Sequence, residues 1–388
     1  MTIRPEFLPF CVPSIGEAEI REVVDTLKSG WITTGPRVRA FEKAFSSYQG
    51  VGSPLALSSA TAALHIALHA LDLAPDDEVI TPSLSWVSAA NMVEMVGAKP
   101  IFCDIEYHTL QPCLKDIATK ITDQTRAIIP VHFAGQPYDI DGLSALTRGR
   151  DITIIEDAAH AVGTRYKGRM VGRDGHFSVF SFHPIKNITT GEGGLLACND
   201  HALFERLRLL RFHGIAKDSW ERYNASGEFG YDVVEPGFKY NMMDIQAAIG
   251  LKQLEKVESL IEQREILATR YDRMLGGLRY LEGQGAPEYP FRHARHLYTV
   301  KLDSEATGLT RNELMSLLRK RNIGSGLHFA PVHLQAHYRR KYGYSRGDLP
   351  NTEMAGDRIL SLPLFPGMTE SDQDHVVASI EAAVAERK

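Results

Sequence analysis

The chain has 388 residues, of which 43 are Lys or Arg and 48 are Asp or Glu, so its formal net charge at pH 7 is −5. This length predicts two domains, and the near balance of charge excludes a broad basic face for nucleic acid. The 4 cysteines are scattered without a CxxC pair, which predicts reduced thiols. The N-terminus lacks a signal-peptide core and no apolar run is long enough to span a bilayer, so we expect a cytoplasmic protein without a membrane partner.

Short apolar runs recur from about residue 54 to residue 199, and a stretch of helical periodicity separates each run from the next. The apolarity within each run is continuous, which is typical of strands buried on both faces of a mostly parallel sheet. The pattern therefore predicts an α/β fold in which helices cover the sheet. The predicted strands are Pro54–Leu57, Glu78–Ile80, Pro100–Phe102, Ala127–Val131, Ile152–Ile155, Phe177–Phe180 and Gly194–Ala197.

The pattern changes after about residue 242. One long amphipathic helix is predicted over Asp244–Leu275, and it bridges into a smaller α+β domain. We place the large domain, with the N-terminal segment, at residues 1–250 and the small C-terminal domain at residues 251–388. The predicted elements of the small domain are a strand at Leu297–Leu302, a helix at Arg311–Arg319, a strand at Ile323–Phe329 and a closing helix from Ser371.

Polar residues follow the first predicted strand, where Ser58, Ser59, Ala60 and Thr61 precede an almost uncharged helix. In open parallel sheets, ligands collect at the carboxyl ends of the strands, so these residues are candidates for a binding site. The free N–H groups and the dipole at a helix N-terminus bind phosphate, and the Ser and Thr hydroxyls add donors. This segment predicts a phosphate site, with a serine cap on a buried helix as the alternative.

Acidic residues follow the fifth predicted strand, in the segment Glu156–His160. A carboxylate at the end of a buried strand is unfavourable unless a cation or several hydrogen-bond donors meet it. The protonated nitrogen of a pyridine ring would be such a cation, and the pair would keep the ring acting as an electron sink. An acid that caps the following helix is the alternative for this segment alone.

The segment Ser181–Asn187 follows the next predicted strand and contains Lys186. A lysine in a partly apolar setting can lose its proton near neutral pH and condense with an aldehyde. The glycines of Gly191–Gly194 allow close backbone approach beside it, and Trp86 could lie flat on a ring or belong to the core. A solvated lysine is the alternative for Lys186 alone. A phosphate site, a ring carboxylate and a lysine in this order together predict pyridoxal phosphate as the cofactor.

Several segments together resemble the DegT/StrS family of sugar aminotransferases, which have the fold type I architecture. The likeness covers nearly the whole chain, and the motif Phe-Ser-Phe-His-x-Ile-Lys-Asn, which begins at Phe180, is rare outside that family. The segments that carry the resemblance are Gly30–Pro36, Ser58–Leu64, Thr81–Ser88, Ile155–Gly163, Phe180–Gly194, Lys239–Ala248 and Gly324–Phe329.

The resemblance implies roles for individual residues. Lys186 would bond covalently to pyridoxal 5'-phosphate and would move the proton between cofactor and substrate carbon. Asp157 would pair with the pyridine nitrogen, and His160 would lie near the ring, where many relatives have glutamine. The other cofactor-binding residues that the resemblance implies are Ala60, Thr61, Trp86, Ser181 and Asn241.

The resemblance also implies partners. Asn241 matches a residue that in relatives reaches the phosphate of the neighbouring subunit, which implies a homodimer with shared active sites. Trp31, His183 and His328 are implied to lie near the sugar. In the implied reaction, L-glutamate gives its amino group and leaves as 2-oxoglutarate, and a nucleotide-linked keto sugar, of the 4-keto kind by likeness to enzymes that make 4-amino sugars, accepts the group.

Three other functions fit parts of the sequence. A pyridoxal phosphate-dependent sugar dehydratase of the same family is disfavoured, because such relatives carry histidine where this chain has Lys186. A non-catalytic binding or regulatory member is disfavoured, because no site residue is missing. A nucleotide-binding α/β protein would need a glycine-rich phosphate loop, and the sequence has neither GxGxxG after a strand nor GxxxxGK[ST].

The histidine pattern predicts no metal site. His65 and His69 have the i, i+4 spacing of a metal pair, but they lie in an apolar helix with no acid between them. His328, His333 and His337 form a loose group that no cysteine or carboxylate completes. A structural or substrate-facing role is therefore expected for these histidines.

Overall fold

The computed structural model describes residues 4–215 and 231–387 of the chain. Strands β1 to β13 occupy Ser53–Leu57, Glu78–Pro82, Lys99–Cys103, Thr125–Ile128, Thr153–Asp157, Arg165–Tyr166, Arg169–Met170, Phe177–Ser181, Gly194–Cys198, Leu281–Gly283, Phe291–Arg292, Tyr298–Leu302 and Ile359–Leu362. Helices α1 to α14 occupy Glu17–Lys28, Pro36–Gln49, Ala60–His69, Ser88–Met95, Leu114–Lys120, Ile140–Thr147, His201–Arg211, Asp244–Glu255, Val257–Leu275, Ser304–Thr307, Arg311–Lys320, Ala336–Tyr342, Pro350–Arg358 and Glu370–Ala385.

Within the described residues, the large sheet has 7 strands in the order β1-β9-β8-β5-β4-β2-β3. Strands β3, β2, β4, β5 and β8 are parallel to their neighbours in that order, and β9 runs antiparallel to both β8 and β1. Each of the strands predicted between residues 54 and 199 is found in this sheet. The prediction of a mostly parallel α/β fold is confirmed.

Helices pack on both faces of this sheet and bury two apolar cores. Phe41 and Phe45 of α2 contact the rings of Phe180 and Phe182 on one face. On the other face, α3 buries most of its length in the second core. This double cover explains why the strands read as continuous apolar runs.

A smaller antiparallel sheet, in the order β10-β12-β13, forms a separate core with α11 and α14. Leu8, from the N-terminal segment, packs into this core and bridges to Ile323. The long helix α9 contributes to two cores, because Ile261 packs under the large sheet and Tyr271 packs in the smaller core. The division at residue 250 stays a prediction, and α9 is the element that joins the two cores.

Two predicted elements are wrong in detail. The single helix predicted over Asp244–Leu275 is two helices, because Lys256 between α8 and α9 leaves helical geometry at φ −112° and ψ 7°. The strand predicted over Ile323–Phe329 is absent, since the described residues there form only isolated bridges. Its backbone pairs first with Leu8 and then, at Gly326, with Ser361, so no partner strand runs alongside it for consecutive residues.

Candidate active site

A cavity of about 330 Å³ lies where the carboxyl ends of β1, β2, β5 and β8 meet. This is the edge at which ligands collect in parallel sheets. The structure brings together on its walls most of the residues that the sequence singled out. The predicted residues that line it are Ala60, Thr61, Trp86, Asp157, His160, Ser181, His183, Lys186 and His328.

One wall of the cavity is the N-terminus of α3. Ser59 caps this helix, because its Oγ accepts the N–H of Ala62 at 3.0 Å. The N–H groups of the first helical turn have no partner within the helix, so Ala60 and Thr61 present donors to the cavity. Gly194 packs against this turn so closely that a Cβ built there would lie 2.3 Å from the nitrogen of Ala60. The turn therefore fits an anionic group such as a phosphate.

A second wall carries the buried carboxylate of Asp157, at the end of β5. Its Oδ1 accepts the N–H of Ala159 at 3.0 Å. Burial raises the pKa of this carboxyl, and the N–H of Ala159 and the charge of Lys186 oppose that rise. A carboxylate held in this way would be stabilised by a cation in the cavity, as the protonated nitrogen of a pyridine ring would be.

The third wall carries Lys186, in the segment that connects β8 to β9. The backbone N–H of Lys186 donates to the carbonyl of His183 at 2.9 Å, and the Lys186 side chain lines the cavity. Burial lowers the pKa of the amine to about 8, and the negative charge of Asp157 opposes that fall. A measurable fraction of the amine is therefore neutral near pH 7, as nucleophilic attack on an aldehyde requires.

Aromatic side chains complete the cavity. The Nδ1 atom of His160 accepts the N–H of Ala134 at 3.2 Å, so the neutral ring carries its hydrogen on Nε2. Burial lowers the pKa of His160 well below its usual range. The ring of His160 lies 6.0 Å from that of Phe329 in a stacked arrangement. Trp86 is 61% exposed, which excludes a core role for it in this chain.

The sequence reasoning missed some of the residues at the site. His296 lies with its Nε2 atom 3.4 Å from the Nζ atom of Lys186. Phe329 and Glu192 line the cavity. A signal existed for His296, since it directly precedes the predicted apolar strand Leu297–Leu302 in a segment with two other polar residues, His293 and Arg295.

Two predicted site residues, Trp31 and Asn241, lie outside this cavity. They are nevertheless close to each other, because both bond to Thr34. The Nε1 of Trp31 donates to the Thr34 carbonyl at 3.1 Å, and the Nδ2 of Asn241 donates to the Thr34 hydroxyl at 2.6 Å. Neither side chain lines the cavity of its own chain.

The histidines that the sequence singled out and that lie outside the cavity have protein partners. The Nδ1 of His65 lies 3.0 Å from the hydroxyl of Tyr240. His333 is buried between Ser83 and Glu353. Among residues 4–215 and 231–387, no group of three or more His, Cys, Asp or Glu side chains is arranged to hold a metal ion. In the same residues, no helix has the length and apolarity that crossing a bilayer requires.

The model of the DegT/DnrJ/EryC1/StrS aminotransferase family matches residues 13–381. The chain belongs to this family. Spr1654 of Streptococcus pneumoniae, named as a sugar aminotransferase, is 33% identical in its PMP form, with a TM-score of 0.90 over 98% of this chain and 100% of that one. Its PLP form is 32% identical, with a TM-score of 0.89 over the same shares.

Two further solved structures have the same fold. The aminotransferase TlmJ of Streptoalloteichus hindustanus is 31% identical, with a TM-score of 0.89 over 98% of this chain and 100% of that one. PseC of Helicobacter pylori, an aminotransferase involved in the biosynthesis of pseudoaminic acid, is 28% identical, with a TM-score of 0.91 over the same shares. This sugar aminotransferase therefore has the fold type I architecture and uses pyridoxal phosphate. The helix start, the buried carboxylate and the partly buried amine of its cavity fit that cofactor.

Proposed function

We propose that Lys186 is the lysine that bonds covalently to pyridoxal phosphate, and that the enzyme transfers the amino group of L-glutamate to a nucleotide-linked 4-keto sugar. The observation that carries this proposal is that the buried Asp157 and the partly buried Lys186 lie on the walls of one cavity. A lysine and a carboxylate on separate faces of the molecule would have contradicted it. The nearby start of α3 supplies the anion site that the cofactor needs.

When bound, pyridoxal phosphate supplies a carbonyl for covalent attachment and a protonated ring that withdraws electrons from the substrate carbon. In this proposal, the carboxylate of Asp157 accepts a hydrogen bond from the ring nitrogen and keeps its proton in place. The N–H groups of Ala60 and Thr61, with the hydroxyl of Ser181, hold the phosphate. The Nζ of Lys186, once free, would move the proton between the substrate carbon and the cofactor.

Trp31 and Asn241 support a homodimer with shared sites. Both lie outside the cavity of their own chain and bond to Thr34, so they form one polar and aromatic cluster. We propose that this cluster faces the cavity of a second copy, with Asn241 on the phosphate and Trp31 near the sugar. Purified protein should then behave as a dimer in light scattering, and Asn241→Ala should weaken cofactor binding in that dimer.

For the acceptor, we propose a UDP-linked 4-keto pentose, so that the product is UDP-4-amino-4-deoxy-L-arabinose, a sugar used in lipopolysaccharide biosynthesis. The support is the likeness of the motif segments to the enzymes that make 4-amino sugars. His183 and His328 would meet the sugar hydroxyls at the open side of the cavity. The 4 cysteines are free in the structure, which supports the cytoplasm as the location.

The attachment of the cofactor is tested with three proteins: wild type, Lys186→Ala and the control Lys167→Arg, which changes a half-exposed lysine. Wild type and control should be yellow, and borohydride should fix the cofactor to the peptide that contains Lys186. Lys186→Ala should lose the borohydride adduct and at least about 100-fold in activity. A borohydride adduct on another lysine would overturn the assignment.

The substrates are tested in two half-reactions. L-Glutamate alone should bleach the visible band of the cofactor and yield one equivalent of 2-oxoglutarate per site. Adding a UDP-linked 4-keto pentose should restore the band and yield an amino sugar. Restoration only by a 3-keto sugar, or by a ketone without a nucleotide, would refute the proposed acceptor. Loss of water from the sugar without gain of nitrogen would identify a dehydratase.

A further inference from the structure

A histidine that is distant in the sequence lies close to the amine of Lys186. The Nε2 atom of His296 lies 3.4 Å from Nζ, although 110 positions separate the two residues. The His296 side chain is buried, and its ring centroid lies 4.4 Å from that of His160. His296 therefore contacts both the amine and a ring that lines the cavity.

The hydrogen bonding of His296 is one-sided. Its Nδ1 atom is buried and, within the described part of the chain, has no hydrogen-bond partner. If His296 served packing alone, both of its ring nitrogens would still need hydrogen-bond partners. Each unsatisfied nitrogen would lower the stability by about 1–3 kcal/mol. Its one close polar neighbour at Nε2 is Nζ of Lys186. The polar contact of this side chain is thus with the amine of the lysine.

The backbone of His296 is fixed by the loop that also orients His160. The N–H of Ala134 donates to Nδ1 of His160, and the carbonyl of Ala134 accepts the N–H of Leu297 at 3.3 Å. The next residue, Gly135, has a φ of 92°, and a Cβ there would lie 2.9 Å from the His160 carbonyl and 3.2 Å from the His296 nitrogen. Only glycine allows this close approach.

Two polar side chains hold the same stretch from the opposite side. The guanidinium of Arg264 donates to the His296 carbonyl at 3.3 Å. The amide of Asn187, adjacent to Lys186, donates to the carbonyl of Ala294 at 2.6 Å. The segment that carries His296 is therefore tied directly to the segment that carries Lys186, and the distance between ring and amine is set by rigid backbone.

Burial and nearby positive charges keep the ring of His296 neutral. Burial lowers the pKa of His296 well below its usual range, and the positive charges of Lys186 and Arg264 act in the same direction. A neutral ring has one nitrogen lone pair. Because an ammonium group can only donate, that lone pair must be on Nε2 whenever Lys186 is protonated.

We propose that His296 is a positioning residue for Lys186: its Nε2 accepts an N–H of the released amine and orients the amine's lone pair toward the cavity. This inference rests on the proposed role of Lys186 in the reaction. It assigns to His296 no proton transfer of its own. Loss of the acceptor would leave the amine in place but free to rotate away from the substrate carbon.

Three substitutions separate positioning from packing. His296→Phe keeps the ring contact with His160 and removes both nitrogens. His296→Gln can place an amide group near the position of Nε2, whereas His296→Asn reaches only as far as Nδ1. The two amides are similar in polarity and differ in reach, so they form a matched pair. His375→Phe, on the exposed side of α14, is the control.

The first measurement uses the full-length protein without cofactor. The acetylation rate of Lys186 is followed by peptide mass spectrometry from pH 6 to 10. We expect a midpoint near 8 in wild type, in His375→Phe and in His296→Gln. In His296→Phe and His296→Asn, the ammonium loses its acceptor, so the midpoint should fall by about one pH unit.

The second measurement uses the enzyme loaded with cofactor. His296→Phe and His296→Asn should lower kcat of the glutamate half-reaction about 10-fold with KM nearly unchanged, since the lost contact matters only while the amine is free. His296→Gln should recover most of kcat. Equal midpoints and equal kcat in wild type and His296→Phe, or equal losses in the Gln and Asn variants, would overturn the inference. Failure of the borohydride experiment on wild type would instead refute the role of Lys186 itself.

Discussion

The Nε2 atom of His132 and the carboxylate of Glu156 lie 3.0 Å apart in the interior, and each side chain is 1% exposed. The N–H of Tyr138 donates to Nδ1 of His132, so the neutral ring donates from Nε2 to the carboxylate. Gly172 and Gly175 donate their N–H groups to the same carboxylate at 3.2 Å and 2.6 Å. Three donors therefore fix the residue that precedes Asp157 on β5.

Because all three groups that face the carboxylate are hydrogen-bond donors, Glu156→Gln should be destabilising. The new amide group would point a donor at another donor, and the free energy of unfolding should fall by about 2 kcal/mol. Urea denaturation measures this, and Glu288→Gln, on the surface, is the control. A stability equal to wild type would show that the carboxylate charge is not needed to organise this end of β5.

Asp157→Asn should stabilise the protein without cofactor and weaken its function. Burial raises the folded-state pKa of Asp157, so the ionised carboxylate lowers stability at pH 7, and this penalty fades as the pH falls through that pKa. The variant should gain about 1 kcal/mol at pH 7 and nothing near pH 3. Thermal unfolding of the cofactor-free protein at both pH values checks this, with cofactor affinity expected to fall. A loss of stability at pH 7 would contradict it.

Gly194→Ala should disrupt the start of α3. A Cβ at this position would lie 2.3 Å from both the Ala60 nitrogen and the Ser59 carbonyl carbon, so the helix start must move. Cofactor affinity should fall at least about 10-fold, since N–H groups bind phosphate only when they are aimed at it. Equilibrium titration with pyridoxal phosphate measures the change. The control Gly277→Ala places its Cβ in open space and should bind as wild type does.

Ser83→Ala should loosen the loop that leads to Trp86. The Ser83 hydroxyl accepts the N–H of His333 at 3.0 Å and lies 2.6 Å from its Nδ1, to which it donates. This leaves Nε2–H of His333 facing Glu353 at 3.3 Å. Removing the hydroxyl leaves two buried polar groups unsatisfied and should cost about 2 kcal/mol. Differential scanning calorimetry should show a lower Tm than for Ser47→Ala, an exposed control.

Lowering the pH should destabilise the protein partly through His328. Burial lowers its folded-state pKa to about 3, whereas the unfolded chain binds a proton near pH 6.5. Its contribution is therefore complete above about pH 6.5 and is lost as the pH falls toward 3. His328→Gln should reduce the slope of unfolding free energy against pH by up to about 1.4 kcal/mol per pH unit. Parallel curves for the two proteins would show that His328 is not buried in neutral form.

The sequence predicted the strands well because continuous apolarity reports burial on both faces, and the cavity followed from polar residues at the strand ends. The break at Lys256 was missed because its amine bonds to Glu19 and to the carbonyl of Ser14, contacts that helical periodicity does not contain. His296 was missed for a similar reason, since its contact with Lys186 depends on how two distant segments pack. Local patterns thus brought out the residues of the candidate site, and tertiary contacts added others.

The reversed direction of β9 has a consequence for how the enzyme tolerates change. The chain leaves β8 and enters β9 at the same end of the sheet. The N–H of Phe182, where the connection begins, donates to the carbonyl of Gly193, where it ends. A one-residue slip of this hairpin would turn every side chain of β9 to the opposite face. This one slip would displace both the amine of Lys186 and Gly194, the glycine that packs against the start of α3. Insertions or deletions between residues 182 and 193 should therefore abolish the site as a whole, whereas those in outlying turns would not.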